Sequence, residues 1–253
     1  MTALVMRKLQ MTDYRTRIYE YYVHARQQSL APENLEGLKP RKAYLQKLIR
    51  THFPENHEAK ILDLGCGHGA LIYFARSLGY CNTIGVDRSP EQVKAAKLLN
   101  IEGVRQGDLT ETLKSLPENS YDVIITFDVI EHFTKEEILI FVDEVKRVLA
   151  PSGKWIIHTP NGESPFASRM FFWDFTHELA FTRQSISQLL LASGFNQVKC
   201  FEDEPIFHGI KSAIRLVLWK LIRGILRIYL AVETGSIKRG FILSQNFLTI
   251  AIK

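Results

Sequence analysis

The sequence predicts an α/β fold built on a seven-stranded, mostly parallel sheet with helices on both faces. Three observations predict it. From Lys60 onward, short apolar runs alternate with helical patterns, and the order strand–helix–strand produces a parallel sheet. Tyr121 to Phe127 is nearly all apolar, as a central parallel strand buried on both faces must be. With 253 residues, 46% of them hydrophobic, the chain suits one globular domain with a full core plus additions.

Residues 1–59 read as an N-terminal helical cap and 60–253 as the main domain. Met1 to Gln10 has no long apolar run and is not a signal peptide. Tyr14 to Gln27 spaces Tyr14, Ile18, Tyr21, Tyr22 and Ala25 as one helix face, and Arg41 to His52 does the same with Ala43, Tyr44, Leu45, Leu48 and Ile49. Pro32, Gly37 and Pro40 mark the linker between them. Plain packing of the tyrosines in a core explains this pattern as well as any role at a site.

The chain is organised around residues 61–69, Ile-Leu-Asp-Leu-Gly-Cys-Gly-His-Gly. Ile61 to Leu64 is a buried strand. Gly65, Gly67 and Gly69 follow, and from Ala70 an apolar helical pattern runs through Leu71, Phe74, Ala75 and Leu78. Glycines let a backbone approach a ligand closely, and the helix N-terminus adds unpaired N–H groups. The spacing is G-x-G-x-G, not the dinucleotide G-x-G-x-x-G. Asp63 at the strand end would repel a pyrophosphate but hold a cation or an amine. A second strand, Thr83 to Asp87, ends in an acid placed to bond ribose hydroxyls. The inferred ligand has a ribose and positive charge and needs no phosphate.

Leu62-Asp-Leu-Gly-Cys-Gly-His-Gly69 with Gly85-Val-Asp87 resembles the class I S-adenosylmethionine-dependent methyltransferases, over roughly residues 40–200. The resemblance implies a Rossmann-like, doubly wound sheet of order 3-2-1-4-5-7-6, its last strand antiparallel. It also implies that the N-terminal helices cover the cofactor, S-adenosyl-L-methionine, and form part of the substrate entrance. The implied cofactor-binding residues are Asp63, Gly65, Cys66, Gly67, Gly69, Asp87, Arg88, Asp108, Leu109, Phe127 and Asp128. Cys66 fits the loop by its small size rather than by reactivity.

The remaining elements follow in order. Ser89 caps a helix with Pro90 at its first position, running to about Leu99. A third strand near Val104 leads to Asp108; resemblance implies that Asp108 faces the adenine amino group beside the Leu109 backbone, while an N-cap before Glu111 explains it equally. The fourth strand ends in Asp128-Val-Ile-Glu-His132, similar to the E-x-x-E-H loop of methyltransferases acting on small hydroxylated substrates, ubiquinone-pathway O-methyltransferases included. A helix from Lys135 to Leu149 and a fifth strand from Lys154 to Thr159 follow, joined by Pro151-Ser-Gly153. Residues 172–182, with Asp174-Phe-Thr-His177 and Phe181-Thr182, resemble a segment of methyltransferases of surface-glycan and lipid-linked sugar pathways. Thr182 starts a helix to Leu191, Gln197 to Phe201 forms the sixth strand and Phe241 to Ile252 the last.

The histidines carry the chemistry. An alcohol acceptor benefits from a general base, and imidazole titrates near neutrality. His177 and His132 are the base candidates, with Asp174 placed to orient His177. The competing readings are a structural hydrogen bond for His132 and a turn contact with Asp174 for His177. His158, inside the fifth strand, reads as a core or cofactor-side histidine. Together these histidines and acids would also suit Mg²⁺, but no spacing demands a metal and none is expected.

These features point to O-methylation of a sugar hydroxyl in a surface-glycan or lipid-linked intermediate. The alternative is O-methylation of a prenylated quinone or phenol precursor. An NAD(P) dehydrogenase is disfavoured by the glycine spacing and Asp63, and a non-catalytic binder by the intact cofactor motif. The expected partner is a small-molecule or lipid-linked acceptor, with no nucleic acid: the basic residues interleave with aliphatics rather than stacking aromatics.

The three cysteines, Cys66, Cys81 and Cys200, form no disulfide or metal pattern and point to a reducing, cytoplasmic compartment. The formal net charge of +5 is informative only where it clusters. It clusters in residues 205–240, a basic amphipathic helical insertion before the last strand. Ile210 to Val232 carries Lys211, Arg215, Lys220, Arg223 and Arg227, and no acid lies between Glu204 and Glu233. The charges recur too often for a transmembrane helix. Two readings stand: a helix packed on the sheet, or an in-plane helix in peripheral contact with the inner face of an anionic membrane.

Overall fold

A computed structural model describes Tyr14, Arg15, Ile18 and residues 31–235 and 240–253. Seven strands form one sheet: β1 (Ile61–Leu64), β2 (Thr83–Asp87), β3 (Val104–Gln106), β4 (Tyr121–Phe127), β5 (Leu149–Pro160), β6 (Gln197–Glu202) and β7 (Asn246–Ile252). Their order is β3-β2-β1-β4-β5-β7-β6. The pairs from β3 through β5 are parallel, and β7 runs antiparallel to both β5 and β6. The helices are α1 (Lys39–His52), α2 (Ala70–Ser77), α3 (Pro90–Leu98), α4 (Leu109–Ser115), α5 (Lys135–Val148), α6 (Ala167–Phe171), α7 (Arg183–Ala192) and α8 (Ile210–Thr234).

Strand side chains alternate between faces, so a strand buried on both sides feeds two cores. Leu62, Leu64, Ile124, Trp155 and Ile157 join one cluster with Phe141, Val142 and Val145 of α5. Ile61, Val123, Ile125 and Ile156 join the other with Leu45, Leu48 and Ile49 of α1 and Ile72 of α2. The fourth strand is apolar throughout its middle for this reason.

Several boundaries differ from the sequence reading. Pro40 is not in the linker but in the first turn of α1, where its missing N–H costs nothing. The fifth strand starts at Leu149, running through Pro151-Ser-Gly153 with a register shift against β4. The sixth extends to Glu202, and the last starts only at Asn246, because pairing with β5 begins at Asn246 opposite Pro160. Tyr14, Arg15 and Ile18 are helical, but the rest of the helix expected over Tyr14 to Gln27 lies outside the described residues, as does the stretch Met1 to Gln10.

Candidate active site

Parallel strands place their C-terminal ends on one edge, and the loops there enclose a cavity of about 490 Å³. Asp63, Gly65, Cys66, Gly67, Asp87, Arg88, Asp108, Leu109, Phe127 and Asp128 line it, and so do His132 and His177. Of the expected site residues, Gly69 and Asp174 lie behind this wall. Gly69 serves as the N-cap of α2 in the left-handed conformation.

The glycine loop is held from β2. Gly67 N–H donates to Asp87 Oδ2 at 2.7 Å and Ser89 N–H to Asp87 Oδ1 at 2.8 Å. Asp87 thus ties the loop to the start of α3 while keeping lone pairs for hydroxyl donors in the cavity. Gly67 has φ +55°, and a Cβ there would make only ordinary contact, 3.6 Å from Gln92 Oε1, with no clash. Glycine at 67 therefore serves backbone conformation and ligand approach rather than protein packing.

Asp63 is buried. Burial, reinforced by the charge of Asp87, raises its carboxyl to about 7. Burial also raises Asp87. A buried acid and a half-buried one of like charge in one cavity are relieved by a cation, which fits the sulfonium and ammonium of S-adenosylmethionine. The Cys66 thiol is pushed well up by burial and by both acids, consistent with a small, inert loop residue. Asp108 does cap α4, accepting from Thr110 and Glu111 N–H through one oxygen, and it also lines the cavity. The N-cap reading of Asp108 is thus observed, and its place in the cavity wall leaves it available to a ligand there.

Elsewhere in the cavity wall, residues 174–179 fold back on the loop after β4. Glu178 and Leu179 N–H both donate to the Glu131 carbonyl, at 2.8 and 3.0 Å. The His132 and His177 rings then meet with centroids 4.8 Å apart. The hydrogen bonds correct the expected role of Asp174. Its Oδ1 accepts from Thr176 N–H at 2.9 Å and Thr176 Oγ1–H at 2.7 Å. Thr176 Oγ1 in turn lies 2.8 Å from His132 Nδ1. Asp174 thus orients His132 through Thr176. The His177 ring is set instead by the Phe171 carbonyl, 3.0 Å from its Nδ1, while its N–H makes the turn contact to Asp174 O at 3.3 Å.

Proton counting fixes both tautomers. The Thr176 hydroxyl proton goes to Asp174, so Oγ1 accepts from His132 Nδ1–H. A carbonyl only accepts, so His177 Nδ1 is also protonated. In each ring Nδ1 thus carries a proton held by a neighbouring oxygen. Burial, followed by the charge of His177, lowers His132 to about 4, so it is neutral at pH 7. Glu131, buried beside it, is raised to about 8 by burial and then by Asp128. Thr159 Oγ1–H donates to its Oε2 at 3.0 Å, while Oε1 has no hydrogen-bond partner among the described residues. Glu131, His132 and His177 each bring one ligand atom to within 4.8 Å of the others, so the cluster can share a proton or hold a divalent cation.

His158 is buried between two acids, with Nδ1 2.8 Å from Asp128 Oδ1 and Nε2 3.5 Å from Asp203 Oδ2. Its ring stacks on Phe127 at 4.8 Å. Despite burial, the two acids hold the imidazolium up to about 10. This charge sits directly behind Asp128, which is exposed to the cavity and left-handed at φ 54°.

Residues not identified from sequence also contribute. Arg41 lines the cavity from α1, and Arg15 lines it while pairing with Glu137 at 2.6 Å. Both are cations on helical faces, a pattern that solvated surfaces share, so sequence offered no signal. Thr176 was visible only as part of its motif.

Residues 62–157 match the family model described as a methyltransferase domain. A ubiquinone biosynthesis O-methyltransferase from Chelativorans sp. is 30% identical over 131 residues, covering 48% of this chain and 51% of that protein. The chain spans about half the length of the curated relatives it matches. The fold is shared with a SAM-dependent methyltransferase from Archaeoglobus fulgidus, with TM-score 0.63, 22% identity and coverage of 86% and 97%. It is shared also with phosphoethanolamine N-methyltransferase 2 of Haemonchus contortus, solved with S-adenosyl-L-methionine, with TM-score 0.57, 17% identity and coverage of 93% and 56%. The methyltransferase-domain match over residues 62–157 and the shared fold support a class I S-adenosylmethionine-dependent methyltransferase, whose cofactor is S-adenosyl-L-methionine.

Proposed function

We propose that this chain methylates a hydroxyl oxygen on an amphiphilic acceptor, and that a prenylated phenol is the favoured acceptor class. The carrying observation is the His132–His177 pair in the wall of the cofactor cavity, each ring oriented by an oxygen held at its Nδ1. S-adenosylmethionine supplies an activated methyl group on a sulfonium. The chain then has to hold the acceptor oxygen in line and take its proton as the bond forms. Asp63 and Asp87 hold the cationic and ribose portions, and the imidazoles face the acceptor.

The rim supports an acceptor with an apolar tail. Phe172 and Phe175 are 80% and 79% exposed, and Trp173, also exposed, lines the cavity. Relatives named for ubiquinone biosynthesis support a phenolic head. The sugar-hydroxyl reading rests on Asp174-Phe-Thr-His177, whose Asp174 and Thr176 are buried and spent on positioning His132. That leaves His177 as the motif's only polar side chain lining the cavity.

Purified protein and S-adenosylmethionine should be incubated with polyprenyl phenols and, separately, with glycolipid extracts, and the products weighed by mass spectrometry. Methylation confined to the phenol supports this reading. Methylation confined to the glycolipid transfers it to the sugar hydroxyl. Methylation of neither removes the amphiphilic acceptor.

A further inference from the structure

We infer that α8 is a lipid-docking helix that lies in the plane of an anionic membrane surface. The inference rests on which side of the helix faces the body, and it does not depend on the proposed acceptor. At about 100° per residue, Ser212, Leu216, Trp219, Arg223 and Leu226 share one side. These residues are buried or half-buried. The opposite side is apolar and faces outward: Ile214, Val217, Leu221, Ile225, Ile228 and Val232 are all exposed, Val232 by 81%. A packed amphipathic helix turns its apolar arc toward the core. α8 does the reverse, so packing does not explain the arc.

An ion pair ties this inward side, which also carries Leu216, Trp219 and Leu226, to the body. Arg223 pairs with Glu202 at the end of β6 and lies over the Trp219 ring at 5.5 Å. The Ser212 hydroxyl accepts from His208 N–H and donates to the Gly209 carbonyl at the start of the helix. Arg227 lines a second cavity with Glu202 and Asp203. Arg223 therefore belongs to the attachment of the helix, and Arg227 lines the cavity beside it.

The remaining cations flank the outward arc. Lys211 and Arg215 fall on one side of it and Lys220 on the other, and all are exposed. An apolar arc edged by cations, with no acid from Pro205 to Val232, complements a layer of anionic headgroups over acyl chains. A second copy of the chain would bring the same cations against themselves, which disfavours a dimer through this face. No helix among the described residues is long and apolar enough to cross a membrane, so the helix lies on the surface rather than spanning it.

The test is co-sedimentation of the whole chain with phosphatidylcholine vesicles carrying increasing phosphatidylglycerol, at low and high salt. Binding should rise with phosphatidylglycerol and fall with salt. Lys211→Gln, Arg215→Gln and Lys220→Gln together should weaken it about a hundredfold, each cation contributing about fivefold. Leu221→Ser with Ile225→Ser should weaken it with the cations intact. Both sets spare Arg223 and Arg227 and should leave S-adenosylmethionine affinity, and turnover on a tail-less soluble acceptor, unchanged. Wild-type protein that ignores anionic vesicles at low salt overturns the inference. So does binding that the serine variant retains in full, or an arc that light scattering shows closed in a dimer that does not bind vesicles.

Discussion

The Thr176 hydroxyl stands between Asp174 and His132, 2.7 Å from Asp174 Oδ1 and 2.8 Å from His132 Nδ1. It donates to the acid and accepts from the imidazole, so it fixes the ring's tautomer without contacting an acceptor. Asp174 and Thr176 are thus positioning residues, and their effects should reach turnover only through His132.

The first prediction follows. Thr176→Val keeps the shape and removes the relay, so turnover should fall about tenfold, near one hydrogen bond's worth. His177→Ala should lower it about a hundredfold. S-adenosylmethionine affinity should not move in either variant. The decisive measurement is turnover with and without EDTA. A proton-sharing pair is indifferent to chelation, whereas turnover lost to EDTA and restored by Mg²⁺ would make Glu131, His132 and His177 ligands of a cation. Full turnover in both variants would exclude these imidazoles from the reaction.

The second prediction separates the two duties of Asp87. Asp87→Ala removes both the acceptors of the Gly67 and Ser89 N–H groups and those offered to the cofactor. Asp87→Asn keeps one acceptor oxygen. Calorimetry should find S-adenosylmethionine affinity reduced tenfold or more in the alanine variant, since charged hydrogen bonds contribute about 1.5–3 kcal/mol, with a smaller loss in the asparagine variant. Gly67→Val should lose affinity through backbone strain and a filled approach, because no protein side chain crowds that position. Unchanged affinity in all three would put the cofactor elsewhere.

The fold was legible because its signals are local. Glycines in a strand-to-helix turn, an acid ending β2 and an unbroken apolar β4 each follow from backbone chemistry within a few residues. The strand order came from resemblance and is the one observed. The relation of Asp174 to His132 was not legible, because it depends on residues 174–179 folding back on Glu131 across more than forty positions of chain. The insertion helix was legible in its periodicity but not in its facing. The sequence pattern shows an apolar arc and a basic one; burial of Ser212 through Leu226 on one side and the ion pair of Arg223 with Glu202 tell which side is inward.

The last prediction concerns His158. Its pKa is raised from 6.5 to about 10 by Asp128 and Asp203, against burial, so its contribution to stability is full below pH 6.5. That contribution shrinks as pH rises and is lost through about pH 10. Asp128 is lowered by His158, so its contribution is present above pH 3.8 and lost as pH falls through its folded value. The pair therefore stabilises most fully between about pH 4 and 6.5. Tyr44, whose ring lies 6.3 Å from His158 and whose hydroxyl is pushed up by burial and then by Asp203, and the Arg41 side chain also face the pair. His158→Gln should cost about 3 kcal/mol at pH 6, the low end for breaking a buried pair because Asp128 opens onto the cavity. Urea unfolding of wild type and variant from pH 5 to 10 is the measurement. The difference between them should narrow steadily above pH 7 and nearly close at pH 10. A difference that stays constant across that range would mean that His158 is neutral in the folded protein, with no imidazolium behind Asp128.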